Sequence, residues 1–124
     1  MKIDSGNHDP LFLQVAKGLE EDVFLGIYEE GQQIPSTTEI SVNYRLNPAT
    51  VLKGINLLVG NSIIFKKRGI GMFVKDGAVQ KIREKRFTDF FGYYIKPMVE
   101  ESRKLGITKD TLIQKITEEF NNEN

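Results

Sequence analysis

The chain contains no cysteine and no tryptophan, and it has one histidine among its 124 residues. Without cysteine it cannot form disulfides or thiolate metal sites, which fits a reducing cytoplasm. The lone His8 cannot build a metal cluster, so we expect neither a metal nor another cofactor. The sequence also lacks a phosphate-cradling glycine loop before a helix, and a nucleophile accompanied by a base and an orienting group. We therefore expect a protein that is not an enzyme.

Long hydrophobic runs and an excess of one charge are also missing. No apolar run approaches the roughly 20 residues that a membrane span needs, and the N-terminus MKIDSGNHDP does not have the pattern of a signal peptide. We expect a cytoplasmic protein without membrane contact. Because 17 Lys and Arg balance 17 Asp and Glu, a nucleic-acid partner cannot be argued from bulk charge. It has to be argued from where the basic residues lie.

What is present begins with two short helices predicted within residues 34–59. Ser36 lies three residues before Glu39, which is the spacing of a capping box. Asn47 and Pro48 then start the second helix, because Asn is a favoured N-cap and Pro fits the first helical position. Apolar residues at the i, i+4, i+7, i+8 spacing predict one buried face of this helix, namely Val51, Ile55, Leu58 and Val59.

The leading end of the second helix is small, polar and partly basic, with Ala49, Thr50 and Lys53. Such an end suits a helix that enters a groove of DNA, as the second helix of a helix-turn-helix does.

A basic hairpin is predicted directly after this helix. Residues 62–65 (SIIF) and 72–74 (MFV) are rich in β-formers and are separated by KKRGIG. The tip of the hairpin carries three cations and a glycine that permits positive φ, namely Lys66, Lys67, Arg68 and Gly69. A basic hairpin tip after a recognition-type helix predicts a winged helix-turn-helix, whose wing grips phosphate or reaches the minor groove.

The segments on either side are predicted to be helical, apart from a polar and frayed start over residues 1–9. A first helix is expected from Pro10 to about Glu30. Apolar residues at steps of three or four form its predicted buried face, namely Leu11, Phe12, Val15, Leu19, Val23 and Ile27. After the hairpin, apolar and aromatic residues predict a long helix, or two, interrupted at Gly92 and at Pro97. A last helix follows.

We expect Thr108 to cap this last helix. The predicted fold class is therefore α+β, mainly α. A winged helix-turn-helix of three helices and a β-hairpin wing occupies residues 10–75. A two- to three-helix dimerisation tail occupies residues 76–124.

Five motifs stand in order along the chain. They are Pro10-Leu11-Phe12 with Gln14-Val15, Gly26 and Gly31 with Ile34-Pro35-Ser36, Asn47-Pro48-Ala49-Thr50-Val51, Gly69-Ile70-Gly71-Met72-Phe73-Val74, and Leu105-Gly106-Ile107. Together they resemble the GntR family of bacterial transcription regulators, and its short YtrA-type subfamily in particular. The resemblance implies a DNA-binding homodimer joined through its C-terminal helices, typically a repressor of nearby genes. Thr38 stands where the family commonly has Arg.

Candidate DNA contacts come from three places, the start of the first short helix, the start of the second, and the wing. They are Ser36, Thr37, Thr38, Asn47, Ala49, Thr50, Lys53, Lys66, Lys67, Arg68 and Gly69. The alternatives are a plain helix cap, a solvated helix start and a charge run that keeps the hairpin soluble. We favour contact with phosphates and bases, with the methyl group of Ala49 or Thr50 against thymine. For Leu52 we favour a packing role over base reading.

The candidate dimer interface is apolar and largely aromatic. It comprises Phe87, Phe90, Phe91, Tyr94, Met98, Leu112 and Ile116. Large aromatic residues dominate such interfaces, although the aromatic set could instead form a cage for an apolar or cationic effector. A small-molecule effector would bind in the dimer seam or between head and tail.

The expected function is sequence-specific binding of double-stranded DNA at a pseudo-palindromic operator, with repression by occlusion of a promoter. The alternative is a winged helix used for protein–protein contact, which net neutrality mildly favours. Salt separates the two, because DNA affinity falls steeply with salt when cations neutralise phosphates.

Overall fold

A computed structural model describes residues 1–122 and is mainly helical, with one two-stranded antiparallel sheet. The elements follow in chain order as α1 (Leu11–Phe24), α2 (Thr37–Tyr44), α3 (Pro48–Gly60), β1 (Ile64–Lys67), β2 (Gly71–Val74), α4 (Ala78–Phe90), a π-helical turn (Phe91–Ile95), α5 (Lys96–Leu105) and α6 (Lys109–Asn121). The predicted fold class is confirmed. Among the described residues, no helix is both long enough and apolar enough to cross a membrane.

The chain forms two compact units, one over Met1–Glu84 and one that starts at Lys85. The first unit contains the three helices and the hairpin of the winged helix-turn-helix, together with the N-terminal segment and the start of α4. The division into functional domains at residues 10–75 and 76–124 stays a prediction.

The core of the first unit lies where α1 and α3 pack together beneath the hairpin. Apolar residues that recur at three- and four-residue steps on both helices are fully buried, which removes their surface from water. Strand residues of the hairpin, Ile40 of α2 and Ile82 of α4 complete this core. Its best-buried side chains are Val15, Val23, Ile40, Val51, Ile55, Leu58, Ile64, Val74 and Ile82.

Both predicted helix starts are present. The Ser36 hydroxyl oxygen accepts from the Glu39 N–H at 3.0 Å, and the Glu39 carboxylate accepts from the Ser36 N–H at 3.2 Å. Asn47 Oδ1 accepts from the Ala49 N–H at 2.8 Å, with Pro48 at the first helical position. These caps fix where α2 and α3 begin, and therefore which side chains lead each helix.

The first helix is shorter than predicted. It ends at Phe24 instead of Glu30, because Gly26 takes a left-handed conformation (φ +81°) and turns the chain toward the hairpin. Ile27, expected on the buried face, is 57% exposed.

The buried face predicted for α3 is correct at Val51, Ile55 and Leu58, and wrong at Val59, which is exposed.

The prediction that the N-terminal segment is frayed is wrong. The Gln14 side chain accepts from the Asp4 N–H at 2.8 Å and donates to the Asp4 carbonyl at 2.8 Å. The Met1 amino group lies 3.4 Å from Asp22 Oδ2 in a buried ion pair. This segment is therefore held against α1.

In the second unit, a break of the helix is predicted at Gly92, but the chain stays helical there. The chain stays helical through the π-helical turn, and Pro97 follows that turn as the second residue of α5. Gly106 ends α5 in a left-handed conformation, and the Thr108 hydroxyl accepts from the Thr111 N–H at 3.2 Å. The predicted Thr108 cap of the last helix is confirmed.

Candidate nucleic-acid interface

A groove of about 320 Å³ lies between the start of α2, the outer side of α3 and the hairpin. It brings together residues that are distant in the sequence. The groove is lined by Gln33, Ile34, Ser36, Thr37, Thr38, Leu52, Ile55, Asn56, Lys66, Ile70, Gly71 and Met72. Four of the predicted DNA-contacting residues are therefore neighbours in the fold, namely Ser36, Thr37, Thr38 and Lys66.

The start of α2 forms the polar rim of this groove. Ser36 and Thr38 are exposed and Thr37 is half-buried. The backbone N–H groups of a first helical turn have no partner within the helix, and they point away from its body. Hydroxyl groups beside such N–H groups are suited to a phosphate oxygen.

The outer side of α3 presents Leu52 and Asn56, four residues apart and so one above the other. Leu52 is 47% exposed, so it is not the packing residue that we favoured from the sequence. Ala49, also exposed, lies three residues before Leu52. The exposed side chains of this helix face are therefore a methyl group, an isobutyl group and an amide.

The other predicted residues of α3 lie away from the groove. Lys53 Nζ is 4.0 Å from the centroid of the Phe12 ring, so its charge rests on an aromatic face of α1. Asn47 is engaged as the helix cap, and Thr50 is half-buried. Asn47 and Lys53 therefore help to hold α3 in place.

The hairpin divides its cations between its two faces. Lys66 pairs with Met72 and Lys67 with Gly71, so successive side chains point to opposite sides. Lys66 lines the groove, whereas Lys67 Nζ lies 4.4 Å from the centroid of the Phe73 ring on the opposite face. Both lysines belong to β1, so the prediction that they form the tip is wrong.

The tip of the wing is Arg68, Gly69 and Ile70, and all three are exposed. Gly69 has φ +77°, the conformation for which glycine was expected. The Gln33 side-chain amide donates to the Ile70 carbonyl at 3.1 Å and ties the tip to the connection before α2. The wing therefore has a fixed position beside the groove.

Two polar residues of the groove, Asn56 and Gln33, were not found from the sequence. Asn56 follows Leu52 by four residues and Ala49 by seven, so the helical period carried a signal for it. Gln33 reaches the wing across 37 positions of the chain, and no local pattern predicts that contact.

The residues predicted for the dimer interface are exposed or half-buried within the second unit. Their rings contact one another at ordinary aromatic distances, 5.6 Å between the centroids of Phe87 and Phe91 and 5.3 Å between those of Phe90 and Tyr94. Phe87 is 68% exposed and Phe91 is 53% exposed. Met98 and Leu112 are half-buried, and Ile116 is exposed. The unit thus carries a large uncovered apolar surface.

The model of the gntR family of bacterial regulatory proteins matches residues 11–74. Among curated proteins, the probable fructoselysine utilization operon transcriptional repressor of Escherichia coli is 33% identical over 89 residues, covering 70% of this chain. The chain spans 37% of the length of that relative. The transcriptional repressor YtrA of Bacillus subtilis is 25% identical over 118 residues, covering 95% of this chain and 90% of YtrA.

Solved structures agree with these relatives. A transcriptional regulator of the GntR family from Bacteroides thetaiotaomicron is 34% identical, with a TM-score of 0.71, and covers 90% of this chain and 96% of its own. The DNA-binding domain of AraR, solved in complex with operator ORE1, is 25% identical with a TM-score of 0.53 over 59% of this chain and 89% of its own.

The resemblance seen in the sequence motifs is confirmed, since the family match covers both short helices and the wing. The match along nearly all of YtrA also confirms the likeness to YtrA-type regulators. This chain belongs to the gntR family of bacterial regulatory proteins.

Proposed function

We propose that this protein is a sequence-specific DNA-binding regulator of transcription that acts in the cytoplasm. The observation that carries the proposal is the groove bounded by α2, α3 and the wing. It gathers hydroxyl groups, an exposed helix face and Lys66, which is the set of groups that contacts phosphates and base edges. The likeness to a domain solved with its operator supports the same partner.

We place α3 in the major groove with the wing beside it. Two heads would be joined through the apolar surface of the second unit, so that a homodimer binds a pseudo-palindromic operator. Support comes from the exposed aromatic residues, because a monomeric protein rarely leaves so much contiguous apolar surface uncovered. A small-molecule effector in the dimer seam or between head and tail stays a prediction.

Repression is the proposed outcome of binding. Both YtrA and the fructoselysine relative are named as repressors, and occlusion of a promoter by a bound dimer needs no further domain. A winged helix used for protein–protein contact is the alternative. None of the relatives reported above is named for that role.

The test measures binding of the full chain to labelled duplex DNA from the region upstream of its own gene, by fluorescence anisotropy. A variant with Lys66→Glu and Arg68→Glu reverses two charges of the wing, one that lines the groove and one at the tip. The control, Lys2→Glu with Lys81→Glu, changes the net charge equally on exposed residues outside the groove and the hairpin.

We expect tight binding that the wing variant weakens at least tenfold more than the control does. Wing and control variants that bind equally would remove the wing from the interface. Absence of any binding at low salt, with this duplex and with random duplexes, would overturn the proposed function.

A further inference from the structure

We propose that the outer face of α3 reads A·T base pairs, with Leu52 covering the C5-methyl group of a thymine and Asn56 bonding the edge of an adenine. This inference rests on the proposed function and names the base pairs that the interface selects. Three side chains of α3 line the groove, Leu52, Ile55 and Asn56, and Ile55 is fully buried. Leu52 and Asn56 are therefore the two that an entering ligand reaches.

The exposure of Leu52 calls for a physical reason. An isobutyl group that is 47% exposed in a concave, partly polar groove gains free energy when an apolar group covers it. The thymine methyl is the one apolar group that the base edges present in the major groove. An aliphatic side chain on the leading half of a recognition helix fits this partner and no other feature of the duplex.

Asn56 supplies the complementary signal. A side-chain amide carries a donor and an acceptor side by side, which matches adenine N7 and N6 in a bidentate pair. Because Asn56 lies one helical turn after Leu52 on the same face, the two side chains are spaced to read neighbouring base pairs.

The charges of the groove argue against guanine at these positions. Guanine is read chiefly by Arg or Lys paired with O6 and N7. Among the described residues that line the groove, only Lys66 is charged, and it comes from the wing. The cation on α3 itself, Lys53, lies over the Phe12 ring. Helix α3 thus offers the groove an amide and an aliphatic group but no guanine reader.

The rim identifies the occupant as DNA. Ser36, Thr37 and Thr38 provide hydroxyl groups on one side, and Lys66 provides a cation on the other. These polar groups lie on either side of Leu52 and Asn56. In a DNA duplex the phosphates likewise lie on either side of the base edges, so the polar groups can contact phosphates while Leu52 and Asn56 contact bases.

The experiment first enriches duplexes from a random pool with the full chain, and then replaces each thymine of the enriched duplex by uracil, one at a time. Uracil removes only the C5-methyl group. Binding is compared for the unchanged chain, for Leu52→Ala and for Leu57→Ala. Leu57 is a control on the same helix, because it is similarly aliphatic and partly exposed but does not line the groove.

We expect one thymine in each half-site at which uracil weakens binding about fourfold, the effect of uncovering one methyl group. The effect should persist in Leu57→Ala and vanish in Leu52→Ala. For Asn56→Ala, the preference for adenine at a neighbouring position should fall by between about 5- and 150-fold, and Asn56→Gln should keep part of it.

The inference would be overturned if the unchanged chain bound the duplex equally well whichever thymine was replaced by uracil. This scan uses only the unchanged chain, so it does not depend on the folding of any variant. An enriched half-site whose central preference is G·C and survives both Leu52→Ala and Asn56→Ala would also overturn the inference. Both results leave DNA binding itself intact. A chain that enriches no duplex would overturn the proposed function and the inference together.

Discussion

Gly54 lies where α1 and α3 touch, and its missing side chain allows that contact. A Cβ atom there would lie 2.6 Å from the Phe12 carbonyl oxygen and 3.0 Å from Val15 Cβ. Gly54→Ala would have to push backbone apart, at an overpacking cost of about 1–3 kcal/mol, against a gain of roughly 1 kcal/mol in helix propensity. We expect a net loss of up to about 2 kcal/mol in the free energy of unfolding, measured by urea denaturation.

Gly60→Ala is the matched control for this change. Gly60 ends the same helix, has ordinary backbone angles, and its Cβ would meet nothing within 4 Å. We expect this variant to be at least as stable as the unchanged chain. Equal effects of the two substitutions would show that the helices do not pack through Gly54.

Tyr28 gives the first unit a dependence on alkaline pH. Burial raises the pKa of this phenol above its ordinary value of 10.0, and the charge of Asp22 raises the pKa further. The unfolded chain then loses the Tyr28 proton at a lower pH than the folded chain does. The stability contributed by the neutral phenol is therefore complete below pH 10 and falls as the pH rises through the higher, folded pKa.

The measurement for Tyr28 is thermal unfolding from about pH 8 to pH 11, with Tyr28→Phe as the comparison. We expect the unfolding temperature of the unchanged chain to fall more steeply above pH 10 than that of Tyr28→Phe. Parallel curves for the two proteins would contradict the raised pKa.

At the scale of elements, the hairpin shows that adjacent lysines need not share a role. Lys66 faces the groove, and Lys67 lies over Phe73 on the other face. If each phosphate contact releases about one counterion, Lys66→Gln should reduce the slope of log K against log salt by about 1. The measurement is anisotropy with one enriched duplex between about 50 and 200 mM salt.

Lys81→Gln is the control for Lys66→Gln, because Lys81 is an exposed lysine on α4 outside the groove lining. Its slope should equal that of the unchanged chain. An unaltered slope for Lys66→Gln would place this lysine outside the DNA contact.

Elements with a strong local signal could be predicted from the sequence. The capping box at Ser36, the Asn47 cap and the glycine of the wing each depend on a few neighbouring residues, and all are present. The strand boundary could not be placed, because lysine is a weak strand former and Lys66 and Lys67 enter β1 only through their pairing with Met72 and Gly71. Because β1 extends through Lys67 instead of ending at Phe65, the side chains of Lys66 and Lys67 point to opposite faces of the hairpin.

Features that depend on contacts with distant parts of the chain could not be predicted from the sequence. Leu52 follows the buried Val51, and only the position of the wing decides that Leu52 lines a groove. The N-terminal segment is similar, since its order depends on hydrogen bonds to Gln14 and an ion pair with Asp22.

At the scale of the whole molecule, the proposed dimer depends on the aromatic surface of the second unit. Phe91 contacts both Phe87 and Phe90 and is 53% exposed, so a charge at this position would be buried without a partner in a dimer. We expect Phe91→Glu to weaken dimerisation about 100-fold, on the scale of about 3 kcal/mol for an unpaired buried charge.

Sedimentation velocity measures this change, with circular dichroism to verify the helices. Lys104→Glu is the control, because it alters the charge of an exposed residue on α5. A Phe91→Glu variant that dimerises as well as this control would move the interface elsewhere.

The central claim is that one DNA-reading face is presented twice by a dimer. The most direct measurement is sedimentation of a labelled enriched duplex titrated with the full chain at low ionic strength. The account predicts a complex of two protomers per duplex that dissociates as salt rises from about 50 to 200 mM. A monomer that leaves the sedimentation of the duplex unchanged at low salt would contradict it.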